Sequence, residues 1–175
     1  MGGVSGGALA TAVSEAGGLG LVGGGYGDPG WLEREMRTVA GATDKPWGVG
    51  VITWAASEEV VQLALSYRPA AVFLSFGDPA PFGALVRRAG VRLICQVQDG
   101  AGARQAVAAG ADVIVAQGTE AGALGHQAGD PDTGLVWAGE GTDLITAVEP
   151  AGELVGQIVA QAEGLLRAAS RQLDH

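Results

Sequence analysis

The residues of this chain best suited to chemistry lie in one short stretch, Gln117-Gly118-Thr119-Glu120-Ala121-Gly122, with His126 just beyond it. The stretch directly follows an apolar run, Ala111-Asp112-Val113-Ile114-Val115, that reads as a buried strand. Polar side chains and permissive glycine backbone are thereby delivered to the carboxyl end of a strand, where ligands bind in parallel α/β proteins. His126 is one of two histidines in the chain. Beside Gln117 and Glu120 it reads equally well as a proton-transfer group and as an ordinary loop histidine. Gln96 and Gln98 are a second constellation: alternate residues of one strand share a face, so two amides point the same way. Buried amides need partners, and a structural network and a ligand contact serve that need equally.

Other patterns carry less. Gly18, Gly20 and Gly23 match the spacing of a dinucleotide fingerprint, but here the glycines run through a strand instead of following one and opening a helix. Tight packing is the better reading of Gly18 and Gly20. Gly23-Gly24-Gly25 stands at that strand's carboxyl end, where backbone amides can meet a ligand. One cysteine and two histidines cannot make a tetrahedral zinc set without distant carboxylates, so no metal site is expected. No Gly-x-Ser-x-Gly elbow is present, and Ser5 reads as a helix cap. His175 reads as a chain end, and Trp31, Trp47, Trp54 and Trp137 as core or rim packing.

The elements that must position these residues alternate regularly. Helices are predicted over 7–16, 29–40, 57–67, 79–89 and 101–109, the second opened by Asp28 as N-cap with Pro29 at the first helical position. Strands are predicted over 19–23, 48–53, 70–75, 92–98 and 111–116. Near-continuous apolar strands between helices predict a parallel sheet covered on both faces. After Gly125 the rhythm breaks into a polar loop over 127–133 and an apolar piece over 135–138. A long helix then runs from Glu149-Pro150 to about Ser170, with an apolar stripe at helical spacing. A closed eight-stranded barrel usually takes about 250 residues, more than the 175 present.

Composition sets the outer bounds. Hydrophobic content of 47% with 17% charged residues fits one compact domain over 1–175. Glycine, 31 of 175, is far above the usual share of about 7% and clusters at strand–helix junctions. A net charge of −9 argues against nucleic acid as a partner, and no basic run suggests a membrane surface. The single Cys95 excludes an internal disulfide and fits a reducing compartment. No signal-peptide pattern opens the chain, and Glu15 with many glycines interrupts the one long weakly polar stretch, over 6–25. A cytoplasmic location is the expectation.

Taken together, Met1-Gly2-Gly3-Val4-Ser5-Gly6-Gly7, Ala16-Gly17-Gly18-Leu19-Gly20, Phe73-Leu74-Ser75-Phe76-Gly77-Asp78-Pro79 and Ala116-Gln117-Gly118-Thr119-Glu120-Ala121-Gly122 closely resemble the nitronate monooxygenase family, formerly called 2-nitropropane dioxygenase. The resemblance implies an FMN-containing (β/α)8 TIM barrel that oxidises alkyl nitronates with molecular oxygen to a carbonyl compound and nitrite. The same flavin fold also serves a class of enoyl-acyl-carrier-protein reductases. Carried over by position, Met1, Gly2 and Gly24 would lie near the flavin. Gln96 would occupy a flavin-contacting position, and Gln117 and Gly122 would line the flavin and substrate site. A flavin ring needs donors near its N1–C2=O end to stabilise the reduced anion.

The chain also departs from the family. The family motif continues Glu-Ala-Gly-Gly-His-Gly, its His being the expected base, whereas Ala123 and Leu124 stand here where Gly and His belong. His126, two residues later, is the candidate substitute, since leucine cannot move a proton. The chain opens at the Met that normally follows the family's first strand, and between about Asp130 and Asp132 the last strands are absent. The expectation is a truncated or internally deleted relative: a partial barrel of about five parallel strands with flanking helices and a C-terminal helix. Its open sheet edges favour homo-oligomers, and a catalytically silent form is the alternative to an active enzyme.

Overall fold

The computed structural model describes residues 2–117 and 147–173, with side chains as far as residue 167. Five parallel strands form one sheet: β1 (Gly20–Gly23), β2 (Trp47–Ile52), β3 (Ala71–Ser75), β4 (Arg92–Val97) and β5 (Val113–Ala116). Helices α1 (Gly7–Glu15), α2 (Pro29–Ala42), α3 (Glu58–Ser66), α4 (Ala80–Arg88) and α5 (Gly100–Ala109) accompany them, and α6 (Ala151–Leu173) ends the chain. The strand order is β1-β2-β3-β4-β5 with every pair parallel.

That order decides the architecture. Parallel connections are right-handed, so a sheet wound in one direction puts all its helices on one side. Each helix accordingly packs on its sequence neighbour, from α1·α2 through α4·α5. A doubly wound sheet would reverse direction at a switch point, and none occurs here. The fold class is that of the (β/α)8 TIM barrel, represented by a five-stranded run of it. Among the described residues the helices take one side, and half-buried Leu21, Ile52, Phe73, Ser75 and Gln96 share the other with Gly48 and Gly50.

Between sheet and helices lies the core. Val22, Val49, Val72, Leu74, Leu93 and Cys95 meet Leu32, Met36 and Val39 of α2, Val61 and Ala64 of α3, Val86 of α4 and Ala106 of α5. The helix residues recur three or four apart, so one stripe of each helix is apolar. The closest approach is at Gly20, where a Cβ would lie 1.9 Å from the Ala10 carbonyl oxygen. At Gly18 it would lie 2.9 Å from Val13 Cγ1. Close packing, not dinucleotide binding, accounts for both glycines.

Helix starts follow local chemistry. Asp28 Oδ1 accepts from the N–H groups of Gly30 and Trp31, Ser57 Oγ from Val60, and Asp99 Oδ1 from Gly102. Gly110, at φ +83°, stops α5 in the left-handed conformation glycine favours. Ser5 is not the cap expected of it. Gly6 holds the N-cap position of α1, the Glu35 carboxylate accepts the Gly7 N–H at 2.8 Å, and the Ser5 hydroxyl donates to Leu21 O. The cap comes from α2, a neighbour that local sequence does not reveal. α6 packs on α1, and its Ile158, Leu165 and Leu166 stay exposed.

Candidate functional site

All five strands end at the same rim, and helices α1 to α5 begin there. Its polar groups divide into those the fold already uses and those it leaves over. Asp28, Ser57 and Asp99 are caps, Asp78 Oδ1 accepts the Ala80 N–H, and Glu35 serves α1. These acidic residues are structural.

Three buried polar atoms have no partner among the described residues: Gln96 Nε2, Gln98 Nε2 and Thr53 Oγ1. Gln96 lies on the barrel-side face of β4, in register with Ser75 of β3, and Gln98 follows just past the strand. The Thr53 N–H donates to Ser75 O at 2.7 Å, while its hydroxyl is left over at 5% accessibility. Each of these groups keeps hydrogen-bonding capacity for a polar visitor. Beside them a cavity of about 330 Å³ opens at the ends of β3 and β4, lined by Gly77, Asp78, Gln96, Gln98, Asp99 and Gln105 among others. Cys95 also lines it, and burial pushes its thiol up to about 11. A thiol so protonated is a packing group, not a nucleophile.

A second cluster forms at the end of β1. Residues 2–5 lie across it as a strap: the Gly3 N–H donates to Gly23 O and the Gly23 N–H to Ser5 O. A Cβ on Gly2 would come within 2.6 Å of Gly25 Cα, so two backbones meet there without side chains. The Gly24 N–H donates to Gly50 O at 2.7 Å and is therefore spent within the sheet; of this residue the rim offers bare backbone instead of a free donor.

The structure thus brings Gly2 and Gly24 together at β1, and Gln96 and Gln117 at β4 and β5, where the Gln117 N–H donates to Val97 O. Three strand spacings separate the two clusters, roughly 14 Å, so a single ligand touching both lies across the sheet's end. Met1, Gly122 and His126 lie outside the described residues, as do Glu120, Trp137 and the apolar piece over 135–138. Thr53 was not singled out by its sequence context; only the ladder beyond Ile52 marks it. Among the described residues no His, Cys, Asp and Glu cluster could hold a metal ion.

These residues fit part of a flavin. Two stranded amides and glycine backbone suit the polar edge and the face of the ring. The phosphate fares differently. Four of the five helix N-termini at this rim already hold a carboxylate, from Glu35, Asp28, Asp78 or Asp99, and a helix N-terminus so occupied repels an anion it would otherwise attract. Of the five, only the N-terminus of α3, capped by Ser57, is without such a carboxylate.

Known proteins similar to this chain fall in one family. Residues 1–59 match the family model for nitronate monooxygenase. A nitronate monooxygenase of Paraburkholderia phytofirmans is 32% identical, the match covering 75% of this chain and 47% of the relative. One from Neurospora crassa is 35% identical over 71% of this chain and 42% of the relative. The chain therefore spans about half the length of the curated relatives it matches. Among solved structures, FabK from Thermotoga maritima superposes with a TM-score of 0.63 at 34% identity, over 70% of this chain and 40% of that one. Nitroalkane oxidase from Streptomyces ansochromogenes does so at 0.55 and 29% identity, over 69% and 45%.

Proposed function

This chain belongs to the nitronate monooxygenase family, and from that premise we propose a flavin-dependent oxidoreductase that oxidises alkyl nitronates with molecular oxygen to a carbonyl compound and nitrite. The observation that carries the proposal is the pair of stranded amides, Gln96 and Gln98, at the carboxyl rim of a singly wound parallel sheet. Residues 1–175 act in it as one flavin-binding barrel domain.

FMN, when bound, supplies the electron acceptor for the nitronate and the route from there to oxygen. Gln96 and Gln98 would hold the ring's polar edge by offering it N–H donors. Gly2 and Gly24 would bring bare backbone against it, with Met1, Gln117 and Gly122 completing the contact. A nitronate is already a carbanion equivalent and needs no base. His126 removes a proton only when the substrate is a neutral nitroalkane. Full activity of His126→Ala on neutral nitroalkanes would sink that assignment. No helix among the described residues is long and apolar enough to cross a membrane, and the lone buried Cys95 suits the cytoplasm as the place of action.

The test is the visible spectrum of purified protein with and without added FMN, followed by nitronate-dependent oxygen uptake. A bound flavin band with uptake supports the proposal. Absence of any flavin band at excess FMN rejects it in favour of a silent family member. A second reading, another flavin-barrel oxidoreductase, draws on the superposition with FabK, at a TM-score of 0.63 against 0.55 for the nitroalkane oxidase. Flavin reduction by a nicotinamide without nitronate would favour that reading.

A further inference from the structure

Among the described helices α6 is the longest, at 23 residues, and the least covered. Its first turn meets the body: a Cβ on Gly152 would lie 3.6 Å from Ala16 Cβ, and Val155 reaches toward Gly18. From Gly156 to Arg167 every residue is exposed. Ile158, Val159, Leu165 and Leu166 are 63%, 52%, 72% and 71% accessible, and Leu154 is 40% accessible. At helical spacing all five fall on one side, with Ala162 at its middle. Glu153, Glu163 and Arg167 fall on the other side, where Glu163 and Arg167 pair at 2.7 Å. Near the start of the helix the Gln157 amide donates to the Glu149 carboxylate at 2.8 Å. The polar side thus finds partners within the chain, while beyond Val155 the apolar side has no cover among the described residues.

Surface chemistry narrows what covers it. The five exposed side chains present roughly 500 Å² of hydrocarbon in one strip, a size that marks a contact site. An anionic membrane surface favours a helix with lysines and arginines on its polar side; here two glutamates stand against one arginine among the described side chains. A second copy of the same helix fits better. Leu154, Ile158 and Val159 precede Ala162, and Leu165 and Leu166 follow it. Turned end for end, the strip again presents large side chains on either side of a small one. Two copies so paired hide roughly 1,000 Å², the least a specific interface needs, and the small central residue lets the helices approach closely. Antiparallel pairing also opposes the two helix dipoles, whereas parallel pairing would align them.

We propose that α6 is a dimerisation helix, and that two copies of this chain associate through an antiparallel pair of α6 helices about a two-fold axis at Ala162. The proposal goes beyond the flavin chemistry and does not depend on it.

The test uses the full chain carrying Val113→Lys, which blunts the exposed edge of β5 and leaves α6 as the surface under study. Sedimentation velocity is expected to show a dimer that tightens as salt rises, because each copy brings a net charge of −9. Ile158→Lys with Leu165→Lys should weaken it at least tenfold by placing charge in an apolar seam. Both positions are exposed in the single chain, so neither change opens a core cavity. Orientation is read with a short bismaleimide, which the buried Cys95 does not reach. Ala162→Cys should be cross-linked into dimers. Leu154→Cys should not, since its two copies would lie roughly 25 Å apart in the antiparallel pair. A dimer indifferent to the two lysines, or cross-linking at Leu154→Cys and not at Ala162→Cys, overturns the proposal. A monomer at every concentration also overturns it, in favour of a membrane surface if that monomer binds phosphatidylcholine–phosphatidylserine vesicles and of a different protein if it does not.

Discussion

Gln96 and Gln98 each keep a buried amide nitrogen without a partner among the described residues, at a cost of about 1–3 kcal/mol apiece when nothing is bound. Gln96→Leu and Gln98→Leu, close to the native volume, should raise the stability of flavin-free protein by about that amount in urea titrations. The same variants should weaken FMN binding in a spectral titration; a gain in stability without a loss of flavin would assign the amides to structure alone. Cys95 makes a prediction about pH. Its thiol ionises near 9.0 when free and at about 11 when folded, so between those values the unfolded chain releases a proton that the folded chain keeps. Stability should therefore be level below pH 9 and fall by up to about 1.4 kcal/mol per pH unit as pH rises toward 11. Cys95→Ala should flatten that decline. Much of this scale was legible in the sequence, because the period of two put both glutamines on one face and the apolar run ended at Gln117. Glu35 was not: its tie to Gly7 joins residues far apart in the chain, and no local pattern announces it. Trp54 was read as core or rim packing, and nothing in its neighbours told which of the two it would be.

At the scale of elements, glycines make opposite predictions according to what surrounds them. Gly20→Ala drives a methyl into the Ala10 carbonyl and should destabilise by more than about 3 kcal/mol, because α1 must lift from β1. Gly41, within α2, meets nothing within 4 Å, and Gly41→Ala should stabilise by about 0.5–1 kcal/mol. Thermal denaturation of the two variants beside the parent checks both signs. Gly77 combines φ of +142° with a close approach to the Trp54 nitrogen and Thr53 Cβ, so any side chain there disturbs the loop after β3. The five strands and five helices lie within a few residues of where the hydrophobic period and the caps put them. Asp28 before Pro29 and Gly110 after Ala109 are local signals, and local signals survive folding. The side of the sheet that each helix takes was the part least legible. Apolar strands look alike whether helices lie on one side or both, and only strand order separates the cases.

At the scale of the whole molecule, the sheet edges left among the described residues matter most. Among the described residues β5 pairs with β4 alone, and its Val113, Ile114 and Val115 are 44%, 38% and 37% accessible. Such an edge favours association, so sedimentation velocity should show self-association that grows with concentration and that Val113→Lys diminishes. A concentration-independent monomer would show that the edge is covered. The order of the strands has a further consequence, for how the protein comes into being. Every described strand pairs with its neighbours in sequence, so the loops closed on folding are short and contacts are local, the condition for rapid folding. Each unit can dock on the one before it as it leaves the ribosome. Among the described elements α6 is the exception, since its partner α1 lies far back in the sequence.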